Sequence, residues 1–201
     1  MFILVGLGNP GKEFENTRHN TGAMALDVFR KVQDFPEWEF DKKLNALVSE
    51  GKVGKQRVLL AFPQTLMNKS GETLKKLQVT GYKLQVKNKE IPNLVVLHDD
   101  LDIPFGKFKI SFNKSSGGHR GVESIIKAVK TQAFVRVRIG IASSAAAVRK
   151  SQDESAVEKT ILGKFTPDQL AELKKLGKRI AEGLRCLITE GREKAMSHYH
   201  S

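Results

Sequence analysis

The chain has one cysteine in 201 residues. Cys186 therefore lacks an internal disulfide partner, which fits a reducing compartment. Its place in a helical pattern near the C-terminal end predicts a buried structural thiol rather than a nucleophile. No apolar run approaches the ~20 residues that span a bilayer. The start of the chain also lacks the basic region and apolar stretch of a signal peptide. A cytoplasmic protein without membrane attachment is expected, and the acceptor-like Asn68-Lys69-Ser70 and Asn113-Lys114-Ser115 are then accidental. There is no Gly-x-Ser-x-Gly elbow, no His-Glu-x-x-His pair and no Cys-x-x-Cys, which removes the common protein-nucleophile and zinc signatures. Acids are scarce beside bases: 22 Asp and Glu against 34 Lys and Arg, a net charge of +12. That excess favours a polyanionic partner through phosphate contacts and counterion release, although a merely soluble basic surface carries the same charge.

What is present begins at the first residues. Phe2–Leu7 is an apolar run that breaks into glycines, as a buried strand does when it delivers a turn to a sheet edge. Gly6-x-Gly8-x-x-Gly11 matches the dinucleotide fingerprint literally. That fingerprint needs its third glycine in the first turn of the next helix, with an acid at the end of a second strand. Here Lys12–Asn16 has no apolar periodicity, helical spacing starts only near His19-Asn20, and Asp27 falls inside the helix. The loop reads instead as the wall of a site, with Asn9 and His19 at its two ends.

Further along, strands are expected at 47–48 and 58–62, joined by a turn over 51–56, and a helix over 66–79. Leu94–Leu97 is continuously apolar, as in a strand buried on both faces, and ends in His98-Asp99-Asp100-Leu101-Asp102. Lys107–Phe112 and Val135–Ile141 alternate basic and apolar residues, and a helix follows Ser115–His119. Residues 143–156, rich in Ala, Ser and charge, read as a mobile connection. Thr166-Pro167-Asp168-Gln169 carries the signature of a capping box with proline in the first turn of a long helix. Strands and helices alternate without repeats. One α/β domain over residues 1–201 is expected, with a twisted mixed central sheet flanked by helices.

Candidate chemistry gathers at the ends of these elements. His19 in a glycine-flanked loop and the carboxylate of Asp99 after a buried strand suit water activation by an oriented imidazole. A capping or core histidine is the bland alternative. Asp99, Asp100 and Asp102 beside His98 could collect a divalent cation, or simply form a turn. Gly117-Gly118-His119-Arg120 opens a helix, and such a start is an anion site or an ordinary glycine turn. Lys107, Lys109, Lys114, Arg120, Arg136 and Arg138 form a basic stripe. On alternating strands Arg136 and Arg138 share a face, as a phosphate track or as a charged sheet edge.

Taken together, six motifs in order and spacing closely resemble the bacterial-type peptidyl-tRNA hydrolase family. They are Val5–Gly11, Thr17–Gly22, Met67–Gly71, His98–Asp102, Gly117–Gly121 and Arg136–Ile141, with Leu162–Phe165 extending the match. The resemblance implies cofactor-independent and metal-independent hydrolysis of the ester between a peptide and the terminal ribose of tRNA. It assigns the base to His19 and its support to Asp99. Asn9 would tell a blocked amino group from a free one, and Asn68 would bind near the scissile ester. Phe14, Leu66, Met67 and Arg120 would contact substrate, and Lys109 and Arg138 would contact tRNA phosphates. A monomer needing no obligate protein partner is implied. Three positions depart from the family pattern: Phe14 replaces a Tyr, Leu66 a Phe, and Arg120 an Asn that helps hold the reacting water. Arg has no acceptor and a fixed charge. That change keeps open the alternative of a non-catalytic RNA-binding protein on the same fold.

Overall fold

In the computed structural model, which describes residues 1–80, 82, 84–142 and 154–199, seven strands form one sheet in the order β2-β3-β4-β1-β5-β7-β6. These are β1 (Phe2–Gly6), β2 (Glu39–Asp41), β3 (Ala46–Val53), β4 (Gln56–Pro63), β5 (Ile91–Pro104), β6 (Phe108–Phe112) and β7 (Phe134–Ala142). The central strands β4, β1, β5 and β7 are parallel, and both edges close with antiparallel strands. The helices are α1 (Thr21–Val32), α2 (Gly71–Val79), α3 (Arg120–Val129), α4 (Glu154–Leu162), α5 (Pro167–Glu190) and α6 (Arg192–His198).

Alternate residues of the parallel strands feed two cores. Leu97, Val137 and Ile139 pack with Leu26 and Phe29 of α1 and Ile180 and Leu184 of α5. Ile3, Val5 and Val96 pack with Leu74 and Leu77 of α2 and Val122 and Ile125 of α3. The strands are apolar on both sides because helices cover both. The capping box at α5 is formed: Gln169 N–H donates to Thr166 Oγ1 at 3.3 Å, and Thr166 N–H to Gln169 Oε1 at 3.0 Å. Cys186 is buried on α5, and burial pushes its thiol pKa up, as suits a structural role.

Two expectations need correction. The strand expected at Leu94–Leu97 runs on to Pro104, so His98, Asp99, Asp100 and Asp102 lie in β5 rather than in a turn. Parallel pairing of His98 with Arg138, Asp99 with Ile139 and Asp100 with Gly140 carries these charged residues in the sheet. Of the connection expected over 143–156, residues 143–153 lie outside the described residues, and 154–156 already belong to α4. Among the described residues no helix is long and apolar enough to cross a membrane.

Candidate active site

The site forms where β1 ends, beside the middle of β5. Leu7 N–H donates to Leu97 O at 3.0 Å and Ala23 N–H to Leu7 O at 3.0 Å, so α1 begins directly on the end of β1 and against the middle of β5. Gly22 permits this approach, since a Cβ there would collide with the Leu97 carbonyl oxygen. His19 sits in the short 3-10 turn Arg18–Asn20 just before α1, and the approach sets its imidazole beside Asp99. Arg18 fastens that turn from outside. Its backbone N–H donates to Gly163 O at 3.0 Å, its Nη1 to Lys164 O at 3.2 Å, and its guanidinium lies over the Phe165 ring.

Asp99 is 3% exposed and receives two histidines. His19 Nδ1 lies 3.0 Å from each carboxylate oxygen, and His119 Nε2 lies 2.9 Å from Oδ1. His119 also caps α3. Its Nδ1 accepts from the backbone N–H of Gly121 at 3.1 Å and of Val122 at 3.3 Å. A ring nitrogen that accepts carries no proton, so the His119 proton sits on Nε2 and points at Asp99. His19 likewise donates from Nδ1 to the carboxylate, which leaves its Nε2 lone pair available at the cleft. Burial alone would raise the Asp99 carboxyl. The two imidazoles outweigh it through the electrostatic pull and hydrogen bonds of their N–H groups and hold Asp99 well below the usual carboxylate range. His98, beside them, donates from Nδ1 to Asp99 O at 2.7 Å. Full burial, reinforced by His119 and Arg136 nearby, drives its pKa well below the ordinary value and keeps it neutral.

The donor atoms of His19, Asp99 and His119 lie within 4.8 Å of one another, the ligand types of a transition-metal site. To bind a metal, His119 Nε2 would need a lone pair, which moves its proton to Nδ1 against two backbone N–H groups. The cap therefore favours a hydrogen-bonded base over a metal centre. The acids of the His98–Asp102 run do not converge either. Asp99 faces the histidines, while Asp100 Oδ2 is held by Arg138 Nε at 2.7 Å.

Asn9 is buried at the mouth of β1. Asn20 clamps its backbone, accepting from Asn9 N–H at 2.8 Å and donating to Asn9 O at 2.9 Å. Asn9 Oδ1 accepts from Met67 N–H at 2.7 Å. With its oxygen engaged, the Asn9 amide presents N–H donors. The cleft has a volume of about 780 Å³ and is lined by His19, Asp99, Asn9, Phe14, Leu66, Met67, Asn68 and Arg120. Val157, Ile161 and Leu162 of α4 add an apolar wall, and Lys114, Arg136 and Arg138 a basic side. Lys109 is exposed on the edge strand β6, opposite Arg138 in register, and does not line the cleft.

Thus the residues expected to do chemistry or touch substrate all meet in one cleft, and Lys109 lies beyond it. Sequence reasoning missed His119 as the second partner of Asp99. The only signal was its place directly before a helix.

The model of the family described as Peptidyl-tRNA hydrolase matches residues 3–201. The chain belongs to the peptidyl-tRNA hydrolase family. It is similar to the "Peptidyl-tRNA hydrolase" of Thermodesulfovibrio yellowstonii, 37% identical over 201 residues that cover 100% of this chain and 99% of the relative. That of Aquifex aeolicus is 41% identical over 186 residues, covering 92% and 88%. The fold also matches the crystal structure of peptidyl-tRNA hydrolase from Acinetobacter baumannii, with a TM-score of 0.85 at 23% identity, covering 100% of this chain and 95% of that one. This last likeness bears on architecture alone, and it agrees with the mixed α/β sheet expected from the sequence.

Proposed function

We propose that this enzyme hydrolyses the ester joining a peptide to the terminal ribose of tRNA, with His19 as the base that deprotonates the attacking water. The observation that carries the reading is the Asp99-anchored imidazole, whose free Nε2 lone pair faces a cleft large enough for a ribose and the first residue of a peptide. Water attacks the ester carbonyl while His19 takes its proton. Asp99 stabilises the imidazolium, which then returns the proton to the departing ribose oxygen, releasing a carboxylate and free tRNA. Asn68, exposed beside the cleft, together with backbone amides, steadies the developing oxyanion. Arg120 adds charge at the rim but no acceptor, so holding the water falls mainly to His19. The step closes without metal or organic cofactor. The intact His19–Asp99–His119 array has no use in a protein that only binds RNA, which argues against the non-catalytic alternative.

Asn9 explains a preference for blocked substrates. Its N–H donors match the carbonyl of a peptide bond and oppose the N–H donors of a free ammonium group. Asn9→Asp keeps an acceptor for Met67 N–H but replaces the donors by a carboxylate. The expected result is a kcat/KM ratio of N-acetyl-aminoacyl-tRNA to free aminoacyl-tRNA at least about tenfold lower than wild type, the scale of one charged hydrogen bond. An unchanged ratio removes Asn9 from the discrimination.

Lys109 and Arg138 supply tRNA phosphate contacts next to the cleft. Lys109→Ala and Arg138→Ala are each expected to weaken tRNA binding and to lower the slope of log K against log salt by about 0.7–0.9. Arg138→Ala should cost more, because it also leaves Asp100 unpaired beside the track. Unchanged slopes place the phosphate path elsewhere. A cytoplasmic monomer acting in translation completes the reading.

A further inference from the structure

Arg136 is 2% exposed, the largest fully buried side chain among the described residues, and it lines the cleft. Its Nε is sealed from water with nothing to receive its proton. The nearby groups offer it no counter-charge of its own. Asp100 is already taken by Arg138, and His98 is neutral by burial. Desolvation and the positive charge of Arg138 lower the Arg136 pKa to about 10, against some relief from Asp100, so the guanidinium is still charged at neutral pH. Buried arginines are ordinarily paired, because an uncompensated buried charge is costly.

We propose that Arg136 is a phosphate-binding residue on the cleft wall, receiving a backbone phosphodiester of the tRNA acceptor end. This rests on the reading that the acceptor end enters the cleft. Two observations and the chemistry of the guanidinium support this. Arg136 shares its face of the sheet with Arg138 and lies two residues before it on β7. Ring contacts run from His19 to His119 at 5.0 Å and from His119 to His98 at 4.8 Å, and His98, opposite Arg138 in register, is near enough to Arg136 to feel its charge, so the guanidinium lines the same cleft as His19. The fork of a guanidinium matches a phosphate bidentately, which a lysine cannot do. Arg136 is thus a substrate-binding residue distinct from the exposed Lys109 and the paired Arg138. It gives the substrate a charge-compensating role inside the protein.

The test is equilibrium binding of a short RNA with the acceptor-end sequence to wild type, Arg136→Gln and Arg136→Lys over a range of chloride concentrations, with inorganic phosphate as a separate titrant. Arg136→Gln is expected to bind the RNA about 10- to 100-fold more weakly and to lose about 0.7 from the salt slope. Arg136→Lys should retain the slope with part of the affinity. Melting temperature separates this from misfolding: Arg136→Gln removes a buried unpaired charge, so the free protein should melt no lower than wild type. Unchanged affinity and slope in Arg136→Gln overturn the proposal while leaving the hydrolase reading intact. Inorganic phosphate binding as tightly as the RNA, and lost in Arg136→Gln, also overturns it in favour of a free-anion site. A wild-type protein that neither binds the RNA nor cleaves blocked aminoacyl-tRNA overturns both.

Discussion

Alanine at position 19 is expected to cut turnover on N-acetyl-aminoacyl-tRNA by about 100- to 10,000-fold, the usual worth of a general base, with little change in tRNA affinity. The split follows from where His19 sits. Its Nδ1 is consumed by Asp99 and its ring is buried, so its remaining chemical asset is the Nε2 lone pair at the cleft. The contacts proposed to bind tRNA, by contrast, come from the basic side of the cleft and from β6. His119 cannot take over as base, because its Nδ1 accepts from the start of α3 and its Nε2 proton is committed to Asp99. Single-turnover rates and tRNA binding on the same preparations check this. A fall in affinity with an unchanged rate would make His19 a binding residue.

Asp99→Asn is expected to be almost as damaging, by about 100-fold or more in kcat, although it changes few atoms. The amide has one oxygen for two histidine donors. His119 is fixed as a donor by its cap, so the oxygen goes to His119 and the new N–H₂ faces His19. That donor makes His19 Nδ1 an acceptor, moves its proton to Nε2 and removes the lone pair proposed to take the proton of the attacking water. His119→Ala should then partly rescue Asp99→Asn, since the amide can turn its oxygen back to His19. Absence of any rescue would mean that His119 does not orient the carboxylate. Stability responds in acid as well. The unfolded chain takes up a proton at Asp99 near 3.8, whereas the native state holds it off to lower pH. The unfolded state thus binds more protons in that window, and the Asp99 contribution, complete at neutral pH, is lost as pH falls through it. Asp99→Asn lacks this loss, so melting curves of the two proteins should converge as the medium is acidified below about pH 4.

The parts of the molecule legible in the sequence were those set by local pattern. The apolar run before Gly6, the alternation around Arg136 and Arg138, and the capping signature at Thr166 each describe their own element without distant partners. The His19–Asp99 pairing was suggested by a loop histidine and a carboxylate after a buried strand, whereas the convergence of Asn9, Met67 and Asn68 rested on the resemblance. The continuation of β5 through His98–Asp102 was hidden because charged residues in a parallel strand depend on the neighbouring β7, which local propensity does not see. Helix α4 was hidden by a polar composition that reads as a connection, yet it lends Val157, Ile161 and Leu162 to the cleft. The second partner of Asp99 was hidden for a different reason. Capping and carboxylate contact by the two nitrogens of His119 are a matter of ring orientation, which no spacing encodes. Arg136 belongs with these, since an arginine on an alternating strand reads as solvated until its burial is seen.

The most direct measurement is release of the acyl group from N-acetyl-aminoacyl-tRNA and from free aminoacyl-tRNA, by wild type and by His19→Ala. The structure predicts cleavage of the blocked substrate only, and its loss in the variant. Tight tRNA binding with no cleavage by wild type, or equal cleavage by wild type and His19→Ala, would contradict water activation at His19.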